Sequence, residues 1–180
     1  LRLAVNASPR ELSEPGYGDV LVAALEEAGL PRDAIALEIT EQSLDDPAAL
    51  EGLRALREVH GVPVAIDDFG AAHSSLSRLQ VLLVGGIKFD RVLMPADPQG
   101  ADGAFIGQLV TALHSRLSAV IAEGVETPEQ VRFAEAAGFD YAQGYAIARP
   151  MPFADLPAWL DGEHGALAAA SRIAIGPDEI

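Results

Sequence analysis

The sequence predicts an α/β fold: a parallel sheet wound toward a (β/α)8 barrel, with six of the eight strands present in 180 residues. Three observations predict it. Short runs rich in Val, Ile and Leu alternate with longer segments whose apolar residues recur at helical spacing. Within each short run the large apolar residues share one face, and a small residue followed by a polar one takes the other. That polar residue comes near the C-terminal end of its strand, where barrels of parallel strands build their sites.

The elements follow in order. Leu3 to Asn6 reads as a short strand. Asp19 to Ala28 reads as a helix with Val20, Leu21, Ala24, Leu25 and Ala28 on its apolar stripe, stopped by Gly29. Ile35 to Thr40 is a strand, and Pro47 to His60 a helix with Leu50, Leu53 and Leu56 on one side, closed by Gly61. Val62 to Asp67 is a strand, Ser74 to Leu82 a short helix and Gly86 to Phe89 a strand. Asp102 to Leu117 is a helix whose stripe includes Phe105, Ile106, Leu109, Val110 and Leu113, and Ala119 to Glu123 is a strand. Thr127-Pro128-Glu129-Gln130 starts the next helix: Thr127 caps, Pro128 suits the first turn, and Gln130 completes a capping box. That helix ends near Gly138, and Phe139 to Gln143 is the last strand. Phe153 to Trp159 is expected to close the domain as a helix, and the Ala-rich end from Gly165 reads as a helix or tail without assigned function.

Apolar residues make up 49% of the chain, which fits a globular core rather than disorder. Twelve Lys and Arg against 27 Asp and Glu leave a net charge of −15, which argues against a surface for DNA or RNA polymers or anionic membranes. A small phosphate ligand stays compatible if metal ions lie between the two sets of negative charge. There is no cysteine, so no disulfide and no thiolate metal site; this suits the cytoplasm. No apolar run reaches membrane-spanning length and no signal peptide is visible. The chain opens in a strand at Leu1 without an initiator Met, so the N-terminus is expected to be cut inside a domain.

The strand pattern brings Asn6, Glu38, Asp67, Lys88, Glu123 and Gln143 toward one mouth, and Asp68 adds a carboxylate at a strand exit. Any one polar residue at a strand end is ordinarily a structural group or a cap. Six in succession, with acids, amides and one amine, point to chemistry. Clustered carboxylates raise one another's pKa unless a cation offsets them. Oxygen ligands from Asp, Glu and Asn suit Mg²⁺ or Mn²⁺ rather than Zn²⁺. The Asp67-Asp68 pair could bridge two metals about 3.5–4 Å apart, an arrangement used for cleaving phosphodiesters. Lys88 then stands near negative charge, where it can steady a phosphate or help activate water.

Six motifs occur in order: Val5-Asn6-Ala7-Ser8, Glu38-Ile39-Thr40-Glu41, Asp67-Asp68-Phe69-Gly70, Lys88-Phe89-Asp90-Arg91, Ala122-Glu123-Gly124-Val125-Glu126-Thr127 and Gln143-Gly144-Tyr145. From about Leu1 to Pro152 the chain resembles the EAL-domain phosphodiesterases, which linearise cyclic di-GMP to pGpG. The resemblance implies a modified TIM-like (β/α)8 barrel, incomplete at its N-terminus, with a partial EAL domain over residues 1–162 and a tail or helix over 163–180. It implies two Mg²⁺ or Mn²⁺ ions, with Asn6, Glu38, Asp67, Asp68 and Glu123 as metal ligands. Lys88, Glu123 and Asp68 are the catalytic candidates; the family casts Lys88 near the hydrolytic water, and the choice between residues for the general base stays open. Gln143, Glu126, Asp90, Arg91 and Pro150 match substrate-site positions, with Arg149-Pro150-Met151-Pro152 resembling the closing segment of the nucleotide site. Glu41 resembles the glutamate that anchors the loop after Asp67-Asp68. A homodimer and a cytoplasmic location follow from the resemblance, which is compatible with fusion to an upstream sensor or diguanylate cyclase domain, including in a membrane-tethered protein.

Three departures stand out. The Glu-Ala-Leu motif that names the family is absent, and truncation ahead of Leu1 explains this better than loss. The loop Gly70-Ala71-Ala72-His73-Ser74-Ser75-Leu76 has Ala72 where the family has glycine, at a cost of about 1 kcal/mol if that position needs positive φ. That loop couples dimerisation to metal binding in the family, and His73 reads as a polar replacement for tyrosine rather than a ligand. Leu82-Leu83-Val84-Gly85 lacks the usual Pro and Asp, for which only a local structural effect is expected. Two rival functions fit the residues less well. A catalytically inactive cyclic di-GMP receptor ordinarily loses metal ligands, and every ligand position in this chain is intact. A Schiff-base enzyme at Lys88 needs a desolvated lysine of depressed pKa, whereas a lysine ringed by carboxylates stays charged.

Overall fold

The structure is a computed structural model that describes residues 3–71 and 84–161. The expected helix over Ser74 to Leu82, the departures at Ala72, His73, Leu82 and Leu83, and the segment 163–180 lie outside the described residues. The chain divides into two compact units, with the boundary between Lys88 and Phe89.

The first unit carries β1 (Leu3–Asn6), α1 (Pro9–Leu12), α2 (Tyr17–Glu27), β2 (Ile35–Thr40), α3 (Pro47–Arg54), β3 (Val64–Phe69) and the first three residues of β4 (Gly86–Phe89). Its strand order is β1-β2-β3-β4. β1 and β2 run parallel with Asn6 opposite Glu38, and β2 and β3 run parallel with Thr40 opposite Asp67. The β2 boundaries match the expectation, because Ile35, Leu37 and Ile39 are all buried.

Three local differences have physical reasons. β3 was expected to start at Val62 but starts at Val64, because Pro63 has no N–H for the ladder; its carbonyl still accepts from the Leu37 amide at 2.9 Å. α1 was not expected. Ser8 caps it with a complete capping box, in which the Ser8 amide donates to Glu11 Oε2 at 2.8 Å, and Pro9 occupies the first turn. The Ser8 hydroxyl also holds the Glu11 carboxyl below its ordinary range. Leu12, 2% exposed, packs α1 onto α3 so closely that a Cβ at Gly52 would lie 1.8 Å from the Leu12 carbonyl oxygen. In α2 only Val22 and Leu25 are buried and Val20 is 70% exposed, so the stripe is narrower than the apolar pattern and rotated from it. α3 is capped by Asp46 and runs into a wider π turn at Ala55–Val59.

The second unit contains Phe89 of β4, α4 (Ala101–His114), β5 (Ala119–Ala122), α5 (Pro128–Ala137), β6 (Tyr141–Ala142) and α6 (Leu156–Asp161). Its strand order is β4-β5-β6, with β5 and β6 parallel. The capping box at Thr127 and Gln130 is formed as the sequence predicts, and Gly138 ends α5. α4 buries Ile106, Val110 and Leu113, while Phe105 is 62% exposed. Phe105 therefore leaves the expected stripe: one position before Ile106 it lies about 100° around the helix. β6 is shorter than the expected Phe139 to Gln143. The Phe139 amide closes α5 by donating to Ala134 O at 3.1 Å, and the Phe139 ring packs edge-on against Phe89 at 5.3 Å. Asp140 accepts from the Val120 amide at 2.7 Å and from His114 Nε2 at 2.8 Å, tying α4 to the start of β6. The closing helix expected over Phe153 to Trp159 is a 3-10 turn at Phe153–Asp155 followed by α6. Among the described residues no helix is long and apolar enough to cross a membrane.

Candidate functional site

In the first unit the strand pleat carries the polar residues to one cluster. Asn6 and Glu38 are register partners on β1 and β2, and Asp67 sits opposite Thr40, two residues beyond Glu38 and so on its face. Lys88 enters from β4 and is 5% exposed. Its Nζ lies 2.8 Å from Glu38 Oε1 and 3.0 Å from Asp67 Oδ1. The two carboxylate side chains are only 11% and 18% exposed, so the ammonium offsets charge that water reaches poorly.

Asp68 departs from strand geometry with φ +55°, the one described non-glycine residue in the left-handed region, which Asp tolerates better than most residues. The twist breaks the alternation that would send consecutive side chains to opposite faces. Carboxylate oxygens of Asp67 and Asp68 accordingly lie within 4.8 Å of each other, and the Asp68 amide donates to Asp67 Oδ1 at 3.1 Å. Glu41, 7% exposed, accepts from the Gly70 amide at 3.3 Å, joining the turn after β2 to the chain leaving β3. Asp67 and Asp68 bring carboxylate oxygens together, Glu38 shares Lys88 with Asp67, and Asn6 is the register partner of Glu38; oxygen donors of this kind are what hard divalent cations take. The Lys88 ion pairs also fit a charged lysine better than a Schiff-base nucleophile.

In the second unit five of the expected residues line one pocket of about 360 Å³: Asp90, Arg91, Glu123, Glu126 and Gln143. Asp90 Oδ1 accepts from the Val92 amide at 2.8 Å and caps the 3-10 turn Arg91–Leu93. Glu123 and Gln143 each stand one residue past their strand, held by hydrogen bonds to Phe89 O at 3.0 Å and Ala122 O at 2.8 Å. The Glu126 amide donates to the Gln130 side chain at 2.7 Å, so the α5 cap also fixes this wall. Pro150 is exposed and does not line the pocket. Tyr145 does line it, a residue that the Gln143-Gly144-Tyr145 motif contains without marking it as a site residue. A groove of about 1040 Å³ along α4 and α5 holds none of the expected site residues.

Gly124 is what lets Arg91 into this pocket. Its φ is +60°, and a Cβ there would lie 2.4 Å from Arg91 Cβ. Gly124→Ala is therefore expected to lower stability by about 2 kcal/mol, combining backbone strain with overpacking, as read from the urea midpoint. An unchanged midpoint would show that this approach is relaxed in solution.

Strands alternating with helices, carboxylates at the strand ends and a buried lysine among them define an incomplete TIM-like barrel of the kind that holds metal-dependent sites. The EAL domain model matches residues 1–150, and the chain belongs to that family. It is 39% identical over 96% of its length to an uncharacterized signaling protein of Caulobacter vibrioides, covering 22% of that protein. It is 37% identical over 89% of its length to the cyclic di-GMP phosphodiesterase NbdA of Pseudomonas aeruginosa, covering 21% of it. The chain thus spans about a fifth of the length of these curated relatives. The solved PaMucR phosphodiesterase in complex with c-di-GMP matches with a TM-score of 0.74 at 33% identity, over 86% of this chain and 70% of that one.

Proposed function

We propose that the intact protein hydrolyses cyclic di-GMP to linear pGpG in bacterial second-messenger signalling, with residues 1–162 as its EAL domain. The observation that best supports this is the buried Lys88 held between the carboxylates of Glu38 and Asp67, in a chain of the EAL family. Asn6, Glu38, Asp67, Asp68 and Glu123 would hold two Mg²⁺ or Mn²⁺ ions. When bound, the ions supply Lewis acidity toward the phosphoryl oxygens and the attacking water. Lys88 steadies negative charge on the phosphate, and Glu123 or Asp68 takes the proton from water. Gln143, Glu126, Asp90, Arg91 and Pro150 contact the dinucleotide, a reading favoured by the pocket that the first four line. Glu41 anchors the loop after β3, as its hydrogen bond to Gly70 favours. The protein works in the cytoplasm as a homodimer.

The decisive experiment is formation of pGpG from cyclic di-GMP with Mg²⁺ or Mn²⁺, resolved by anion-exchange chromatography. Turnover that depends on the metal is expected. Undiminished nucleotide binding without turnover would instead assign the protein to the inactive receptor class.

A further inference from the structure

Tyr145 borders the second-unit pocket and is 53% exposed, so one face of its ring is open to a ligand in that pocket. The chain around it is a tight turn: the Ile147 and Ala148 amides both donate to Gly144 O, at 3.0 and 3.1 Å. The turn closes at Ala148, and Arg149 follows it directly. Arg149 lies over the Tyr145 ring, with its guanidinium carbon 4.5 Å from the centroid. A long exposed side chain loses rotamer freedom when it is held this way. The stack in turn restrains the ring and places a cation against its π face.

We propose that Arg149 is a positioning residue acting through Tyr145: it holds the ring at the pocket mouth as a stacking platform for a nucleobase of the ligand. A base is flat, and its π face stacks on aromatic side chains whatever its hydrogen-bonding edge. A guanidinium behind the ring draws electron density from it, which favours stacking by an electron-rich purine. Arg91, Glu126 and Gln143 in the same pocket offer polar groups that a phosphate or a base edge can meet. The inference rests on the cyclic di-GMP reading and adds the group that grips the base.

The test compares steady-state hydrolysis of cyclic di-GMP by the intact protein with Arg149→Met, Arg149→Lys, Tyr145→Phe and Tyr145→Leu. Arg149→Met and Tyr145→Leu are each expected to raise KM about five- to tenfold with kcat within twofold, and their double variant to raise it little further. Arg149→Lys and Tyr145→Phe should stay within about twofold of the unsubstituted protein, since charge and ring respectively remain. An unchanged KM in Arg149→Met, or equal losses in kcat and thermal stability with no KM effect, would reduce the stack to a surface contact and overturn the inference alone. Failure of the unsubstituted protein to bind or cleave cyclic di-GMP would overturn the substrate reading and this inference with it.

Discussion

Asp67→Ala is expected to lower kcat for the proposed cyclic di-GMP hydrolysis by at least about 10³-fold, the largest effect expected of any single substitution in this chain. Three roles meet on that carboxylate. Its Oδ1 faces Lys88 Nζ at 3.0 Å, it accepts the Asp68 amide at 3.1 Å, and it stands within 4.8 Å of the Asp68 carboxylate. Removing it deletes a proposed metal ligand, releases one partner of the lysine and frees the backbone at the left-handed Asp68. Asp67→Asn separates these roles. The amide oxygen can still accept from Asp68 N–H, so folding should change by less than about 1 kcal/mol, while the lost charge should still disable turnover. Both variants are read by pGpG formation at saturating Mn²⁺, with urea unfolding alongside. More than a tenth of the original rate in Asp67→Ala would remove Asp67 from the metal-ligand set.

Lys88→Met is expected to destabilise the metal-free protein by about 3–5 kcal/mol, the range for removing one partner of a buried ion pair. Met replaces most of the aliphatic stem, so the change isolates the charge. Glu38 and Asp67 would be left largely shielded from water, with the Lys88 ammonium that now lies between them removed. A divalent cation among the same oxygens would offset their repulsion, so millimolar Mn²⁺ should restore part of the lost stability. Chemical denaturation with and without Mn²⁺ measures both effects. If the variant unfolds at the same midpoint as the parent, the ion pairs contribute nothing to folding. If Mn²⁺ leaves the variant unmoved, these carboxylates are not metal ligands.

Much of the fold was legible before any coordinates. β2 at Ile35–Thr40 and β4 at Gly86–Phe89 carry their boundaries in their own alternation. The capping box of Thr127 and Gln130 announced α5, and the same signal stands at Ser8 and Glu11 ahead of the four-residue α1. The misreadings arose where a neighbour, rather than the local pattern, decides. Pro63 delays β3 because the ladder needs its missing N–H. Phe139 looks like a strand residue, yet its amide is taken by the end of α5. Phe105 and Val20 look like core residues on apolar faces, yet the packing left them exposed.

The division at the site has the same physical basis. Alternation along single strands determined that Asn6, Glu38, Asp67 and Lys88 are polar residues placed toward the strand ends, because a pleat of period two needs no partner to be read. Residue identity likewise pointed to hard cations, since the ligand candidates at the strand ends are Asp, Glu and Asn and the chain contains no cysteine. Only the tertiary structure decided that Lys88 is buried against both Glu38 and Asp67, that Asp68 leaves the strand conformation, and that Arg149 lies on Tyr145. Those facts depend on parallel register, on a left-handed residue and on a turn, each set by contacts distant in sequence or by backbone angles that composition does not specify.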